Sequence, residues 1–82
     1  MKILIVDDHP LIRDAVRHVL TQLDRDVQVF DAETCSEADE RIAAHPDLDL
    51  VLLDLSLPGS SGLSALESLR QQHPSVPVVV LS

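Results

Sequence analysis

The sequence is poor in several residue types, and each shortage excludes a class of protein. Cys35 is the single cysteine among 82 residues, so an internal disulfide is impossible and a reducing cytoplasm is expected. Phe30 is the single aromatic residue, and the short apolar stretch after Lys2 is too brief for a signal peptide or a membrane span. Six basic residues against fourteen acidic ones give a formal charge of -8. This charge argues against direct nucleic-acid binding and favours a cation or a basic protein surface as partner.

Two short aliphatic runs each end in aspartate, and together they indicate a site. Residues 3–6 precede Asp7 and Asp8, and residues 50–53 precede Asp54. Such runs are typical of strands buried on both faces of a parallel sheet, in which neighbouring strands lie about 4.8 Å apart. If the two strands lie side by side, the three carboxylates converge at the edge where open α/β sheets bind ligands. Because like charges repel, a divalent cation is the simplest relief.

Strand and helix patterns alternate along the chain. A helix is predicted to begin near Pro10, and a capping box over residues 34–37 starts a second helix. Further strands are predicted over residues 27–30, 50–53 and 76–81. The order β-α-β-α-β-α-β predicts an α/β fold with a doubly wound parallel sheet, its second strand outside and the other three in the middle. The apolar positions assigned to the three helices are, in order, Leu11, Ile12, Ala15, Val16, Val19, Leu20 and Leu23; Ala38, Ile42 and Ala43; and Leu63, Leu66 and Leu69.

Three blocks of sequence resemble the receiver domain of two-component response regulators. They read ILIVDDHPLIRDAV, DLVLLDLSLPGSSGL and VPVVVLS, in that order. The His-Pro pair after the acids, with Arg13 following, is similar to the subfamily that carries a C-terminal helix-turn-helix. The resemblance implies a flavodoxin-like receiver fold, of which residues 1–82 form the first two-thirds, up to the fourth strand. It also implies a cytoplasmic signalling domain rather than an enzyme. The phosphoryl donor would be a histidine kinase or a phosphotransfer protein, and DNA would be bound by an output domain outside this segment.

The same resemblance implies a role for each residue of the acidic site. Asp54 would accept the phosphoryl group, while Asp7, Asp8 and Asp54 would hold Mg²⁺ together with the backbone carbonyl of Ser56. Ser82 would be the switch hydroxyl that contacts the phosphoryl group in the active state. Mg²⁺ prefers oxygen ligands and keeps several waters, so two or three carboxylates suffice. A carboxylate can form an aspartyl-phosphate, although spacing alone does not choose Asp54 over Asp8 as the nucleophile.

The chain departs from the receiver pattern at its end. Receivers continue with a fourth helix, a fifth strand and a fifth helix, and they supply a lysine that pairs with the phosphate. The sole lysine here, Lys2, lies in the first strand and cannot take that role. We therefore expect Mg²⁺ binding to persist and phosphorylation to be slow, and a phosphorylation-incompetent fragment that acts by protein association stays an alternative. An aspartyl phosphatase or mutase would need an acid two residues after Asp54, where Ser56 stands. His9 could be a ligand, but a solvated loop side chain is the commoner interpretation.

The fourth predicted strand indicates a dimer. A receiver's fifth strand would lie beside residues 78–81, and without it this edge is bare, aliphatic and uncharged, with only Pro77 to discourage pairing. Without the final helix, apolar side chains next to the first helix would also be uncovered. We expect a two-fold homodimer through the fourth-strand edge, formed either by pairing of the two fourth strands or by exchange of the last helix and strand.

Overall fold

The structure, a computed structural model, contains a parallel four-stranded sheet with helices on both faces, and it describes residues 1–54 and 62–81. All described strand pairs are parallel, and the strand order is β2-β1-β3-β4. This confirms the predicted doubly wound α/β architecture. The elements are β1 (Lys2–Val6), α1 (Pro10–Leu23), β2 (Gln28–Ala32), α2 (Cys35–Ala44), β3 (Leu50–Leu53), α3 (Gly62–Gln72) and β4 (Val78–Val80).

The sheet order confirms one prediction about the strands and corrects another. β1 and β3 lie in the middle and β2 at an edge, as predicted. β4 forms the other edge of the described sheet, which agrees with the fourth-strand edge expected from the sequence and not with the middle position also predicted for this strand. Its aliphatic composition suggested burial on both sides, whereas strand order depends on pairing with distant segments. β2 also extends beyond its predicted end, through Asp31 to Ala32. Asp31 is compatible with the strand because its carboxylate pairs with the Arg17 guanidinium of α1.

The core has two parts, one on each face of the sheet. The larger part joins alternate side chains of β1 and β3 to α2 and α3, and the smaller part joins the other side chains of these strands to α1. Both central strands are therefore apolar over residues 3–6 and 50–53, which explains why these segments form continuous aliphatic runs in the sequence. The buried members of the two parts are, respectively, Leu4, Val6, Ala32, Ala38, Ile42, Leu48, Val51, Leu53, Ala65 and Leu69; and Ile3, Ile5 and Leu52.

The second helix confirms its predicted start and corrects one inward position. The backbone N–H of Glu37 donates to Thr34 Oγ1 at 3.1 Å, as the capping box predicts. Ala38 and Ile42 are buried, but Ala43 is exposed. The reason is geometric: residues four apart share a helix face, while Ala43 lies about 100° further round the axis.

The first helix begins at Pro10 as predicted, yet its apolar stripe is only partly covered. None of its residues is fully buried, and only Val16 and Leu20 of the stripe pack against the core. Leu11 is 84% exposed and Val19 is 55% exposed. The stripe is therefore wider than the sheet area that the described residues offer it. In the third helix, Leu63 is likewise exposed, while Ala65 and Leu69 are buried. Within residues 1–54 and 62–81, no helix combines the length and apolarity needed to cross a membrane.

Candidate functional site: an acidic cluster with a histidine

Two backbone hydrogen bonds fix where the acidic residues emerge from the sheet. Val6 and Leu53 are paired in register, so the residues that follow them leave neighbouring strands at the same edge. The N–H of Asp7 donates to the Ala32 carbonyl at 2.9 Å, and the N–H of Asp54 donates to the Val6 carbonyl at 3.0 Å. Both aspartates are therefore held by extensions of the sheet's hydrogen bonding rather than by a free loop.

The carboxylates lie in different degrees of contact with solvent. Asp7 is fully buried, Asp54 is 4% exposed, and the side chain of Asp8 is 31% exposed. Asp7 Oδ2 is buried and has no hydrogen-bond partner among the described residues. A buried carboxylate oxygen without a partner costs folding free energy unless a cation or donor satisfies it. The cluster is thus incomplete as a purely structural feature.

His9 lies at the centre of the three carboxylates. Its Nδ1 atom is 2.7 Å from an oxygen of Asp7, 3.1 Å from one of Asp8 and 3.6 Å from one of Asp54. The backbone N–H of His9 also donates to Asp7 Oδ1, at 2.9 Å. The hydrogen bond to Asp7 is the main cause that raises the pKa of His9 above its ordinary value, and the charge of Asp8 adds to it.

The structure brings together three of the five predicted site residues. The predicted convergence of Asp7, Asp8 and Asp54 is confirmed, because all three carboxylates face one imidazole nitrogen. Ser56 and Ser82 lie outside the described residues, and their roles stay predictions.

His9 is exposed, as expected of a solvated side chain, but its ring also contacts the three carboxylates, which the sequence did not predict. His9 is the N-cap residue of α1, in extended conformation immediately before Pro10 at the first helical position. Its place two residues after a buried aspartate was the signal that could have identified it.

The donor set of this site fits a divalent cation. Ligand atoms of Asp7, His9 and Asp54 all lie within 4.8 Å of one another. Carboxylate oxygens are the ligands that Mg²⁺ prefers, and the partnerless Oδ2 of Asp7 gives a buried negative charge that a cation would satisfy.

The opposite end of the same strands carries the sole lysine of the chain. Lys2 Nζ lies 2.5 Å from Asp47 Oδ2, and the backbone N–H of Lys2 donates to Asp49 Oδ2 at 2.8 Å. Lys2 therefore has its own acidic partners a full strand length away from Asp7. This confirms that it cannot serve the acidic site.

Comparison with known proteins identifies the class of the chain. Residues 3–82 match the family model described as "Response regulator receiver domain". The chain is 44% identical over 81 residues to the glycerol metabolism activator of Pseudomonas putida, and 38% identical over 80 residues to the nitrate/nitrite response regulator NarL of Escherichia coli K12. These alignments cover 99% and 98% of this chain, and 37% of each relative. The chain belongs to the response regulator receiver family.

Solved structures agree with this assignment. The response regulator MaeR bound to beryllium trifluoride matches with a TM-score of 0.82 and 30% identity, over 99% of this chain and 66% of that one. A LuxR family DNA-binding response regulator from Silicibacter pomeroyi matches with a TM-score of 0.84 and 33% identity, over 99% of this chain and 62% of that one. A third match comes from the structure of the histidine kinase ThkA in complex with the response regulator TrrA. Its TM-score is 0.82 and its identity 30%, over 96% of this chain and 66% of that one.

Proposed function

We propose that this chain accepts a phosphoryl group on Asp54 from a histidine kinase, with Mg²⁺ bound at the acidic cluster. The observation that carries the proposal is the meeting of three carboxylates, two of them almost fully buried, at the ends of two adjacent strands. The choice of Asp54 rests on its match to the family pattern. The complex of TrrA with a histidine kinase and the beryllium trifluoride bound to MaeR are properties of those proteins that support the proposal for this one.

The transfer forms one bond and breaks one. A carboxylate oxygen of Asp54 bonds to the phosphorus atom while the P–N bond of the donor phosphohistidine breaks, and its electron pair stays on the donor's imidazole nitrogen. The N–H of Asp54 is already bonded to Val6, so the strand holds the nucleophile in place before the donor arrives.

The metal would be held by Asp7, Asp8 and Asp54, with the Ser56 carbonyl as a further predicted ligand. When bound, Mg²⁺ neutralises charge on the transferring oxygens. The three carboxylates bring a formal charge of -3 to a small volume, so without a cation they repel the incoming phosphate. Asp8, the most exposed of the three, can reach a partly hydrated ion with the least desolvation.

The wider signalling role is proposed from the relatives. An output domain, DNA-binding as in the Silicibacter pomeroyi regulator, would follow a receiver of this kind and be controlled by its phosphorylation. The cytoplasmic location expected from the resemblance stays a prediction, as does the description of residues 1–82 as a partial receiver domain.

Intact-mass measurement tests the proposed site. The chain is incubated with acetyl phosphate, with and without Mg²⁺, and its mass is followed over time. We expect a gain of a single phosphoryl group that requires Mg²⁺ and that is absent in Asp54→Asn. Asp47→Asn removes an acid from the opposite end of the sheet and should leave the gain unchanged. A gain that persists in Asp54→Asn, or no gain at any time with Mg²⁺, would contradict the proposal.

Exposed apolar residues favour a second candidate function, association with another copy of the chain. Val79, Val80 and Leu81 are 47%, 38% and 40% exposed, and they lie at the open edge of the described sheet. The Pro77 carbonyl and the Leu81 N–H bond to β3. In a parallel pair, the N–H and C=O groups of successive residues point alternately toward and away from the neighbouring strand. The backbone groups of Val78 and Val80 therefore point away from β3. These unpaired groups, flanked by apolar side chains, form a template for a second β4 strand.

A proline at the outward-facing position tests this homodimer. Val80→Pro removes one outward N–H without removing a hydrogen bond to β3. Sedimentation of the chain across a dilution series should show a dimer at micromolar concentration that Val80→Pro weakens, with circular dichroism confirming that the variant is folded. Leu63→Ala, at an exposed residue of α3, is the matched control and should leave the dimer intact. A monomer mass for the unchanged chain at all concentrations refutes edge pairing.

A further inference from the structure

The imidazole of His9 occupies a position that is hard to explain by helix capping alone. His9 is the N-cap residue of α1, yet its side chain makes no capping hydrogen bond to the helix. Instead, its Nδ1 atom faces the three carboxylates. We propose that His9 Nδ1 is a direct metal ligand, so that the acidic site binds late first-row ions such as Ni²⁺ and Zn²⁺ more tightly than its oxygen ligands alone would. This inference deepens the proposed function and rests on the Mg²⁺ site assumed there.

The distances around Nδ1 agree with a shared coordination sphere. Two ligands at right angles around an ion, each about 2.1 Å from it, are separated by about 3 Å. Nδ1 lies 2.7, 3.1 and 3.6 Å from oxygens of Asp7, Asp8 and Asp54, which brackets this value. An ion can therefore be accommodated by small rotations of the side chains, without movement of the strands.

A second, independent observation points to a cation. Asp7 is fully buried, and its Oδ2 atom has no hydrogen-bond partner among residues 1–54 and 62–81. The His9 ring satisfies only the other oxygen, Oδ1. A bound ion could use this partnerless oxygen without breaking a hydrogen bond to it. To ligate the ion, His9 Nδ1 releases its proton to solvent and gives up its hydrogen bond to Asp7 Oδ1.

The nitrogen ligand changes which ions the site prefers. Carboxylates and waters suit Mg²⁺, whereas imidazole suits Zn²⁺, Ni²⁺ and Cu²⁺, and affinity rises along the first-row series toward copper. A site with oxygen ligands alone would gain less along this series than a site that includes His9. The prediction is thus about a difference between ions, which separates it from the general attraction of an acidic cluster for any divalent cation.

The other histidines of the chain have different partners and cannot supply this nitrogen. His18 lies within hydrogen-bond distance of Gln22, His45 stacks on Phe30 with ring centroids 4.1 Å apart, and His73 pairs with Asp39 at 3.2 Å. His18 is exposed on α1 and therefore provides a matched control for the loss of one histidine.

Calorimetric titration with NiCl₂ and MgCl₂ tests the inference on three proteins: the unchanged chain, His9→Gln and His18→Gln. Loss of an outer-sphere partner of a metal ligand typically costs roughly 10–100-fold in affinity, so loss of a direct ligand should cost at least as much. We expect His9→Gln to weaken Ni²⁺ binding to this extent while Mg²⁺ affinity stays nearly the same, and His18→Gln to change neither. His9→Ala should reproduce His9→Gln.

A spectroscopic measurement identifies the ligand atom. In the chain labelled with ¹⁵N-histidine, Zn²⁺ should shift the Nδ1 resonance of His9 and leave that of His18 unchanged. Unaltered Ni²⁺ affinity in His9→Gln overturns the inference. So does a large gain in Mg²⁺ affinity, because the ring would then compete with the ion. If the unchanged chain binds Ni²⁺ through His9 but not Mg²⁺, this inference stands and the proposed function fails. If the unchanged chain binds Mg²⁺ and its Ni²⁺ affinity does not depend on His9, this inference fails and the proposed function stands.

Discussion

The two ends of β1 carry acidic residues that are balanced in different ways. At the start of the strand, Asp47 is paired with Lys2, and its side chain is 60% exposed. At the other end, Asp7 is fully buried, and the nearest basic group is the titratable ring of His9. A permanent cation and water balance the first end, whereas the second has buried charge and no permanent cation among the described residues. This contrast supports the proposal that the second end binds a cation.

The largest expected effect comes from giving the acidic end a permanent cation. Lys2 lies at the end of β1 opposite the acidic cluster, so its charge does not stabilise a phosphoryl group on Asp54. We therefore expect the unchanged chain to be phosphorylated slowly and far from completely by acetyl phosphate. Leu81 is exposed, and its N–H donates to the Leu53 carbonyl next to Asp54. Leu81→Lys should therefore speed phosphorylation about tenfold, which corresponds to about 1.4 kcal/mol of charge stabilisation.

The control for this experiment is a lysine placed elsewhere. Leu23→Lys adds the same charge at the exposed end of α1 and should leave the rate unchanged. Intact mass against time gives both rates. Complete phosphorylation of the unchanged chain, at a rate that Leu81→Lys does not improve, would show that the missing cation is unimportant.

A smaller effect concerns the titration of His9 in the metal-free chain. Asp7 and Asp8 raise the pKa of His9 above 6.5, its value in an unfolded chain. The folded state therefore binds the proton more tightly. The resulting stability is fully present below pH 6.5 and is lost as the pH rises through the higher folded-state pKa. NMR of the imidazole proton should show this raised midpoint, and Asp7→Asn should lower it. A midpoint at or below 6.5 would contradict the geometry of the cluster.

The smallest effect is expected at the other end of the strand. Lys2 lowers the pKa of Asp47 below 3.8, so the stability that this pair gives is present above pH 3.8 and is lost as the pH falls through the folded-state value. Lys2→Met should raise the pKa of Asp47 with little effect on unfolding at neutral pH, because the pair is exposed. Carbon-13 NMR of the carboxyl group provides the measurement. A large loss of stability at pH 7 would mean that the two ends are not as different as described.

Local patterns were sufficient to predict most of the fold. Aliphatic runs placed β1 and β3, the capping box placed the start of α2, and Pro10 placed the start of α1. The errors concern features that depend on distant contacts. β4 lies at the edge of the described sheet because no described strand pairs with its far side, and β2 extends through Asp31 because Arg17 of another element satisfies its charge.

The acidic site was partly predictable for a related reason. The ends of two parallel strands must meet, so the convergence of Asp7, Asp8 and Asp54 followed from the strand assignment alone. The position of the His9 ring did not follow, because it depends on the extended N-cap conformation and on the side-chain rotation that turns Nδ1 toward Asp7. The sequence indicates the extended N-cap conformation, through Pro10, but not the rotation of the His9 side chain.

The free energy of unfolding of the unchanged chain and of Asp54→Asn, measured with denaturant with and without Mg²⁺, tests the central claim most directly. Without Mg²⁺, we expect Asp54→Asn to be as stable as the unchanged chain or more so, because it removes one of three repelling carboxylates. With Mg²⁺ at about ten times its Kd, the unchanged chain should gain about 1.4 kcal/mol and the variant clearly less. If Asp54→Asn is clearly less stable without Mg²⁺, the acidic cluster is not strained, and the account of this end of the sheet as a cation-binding site is wrong.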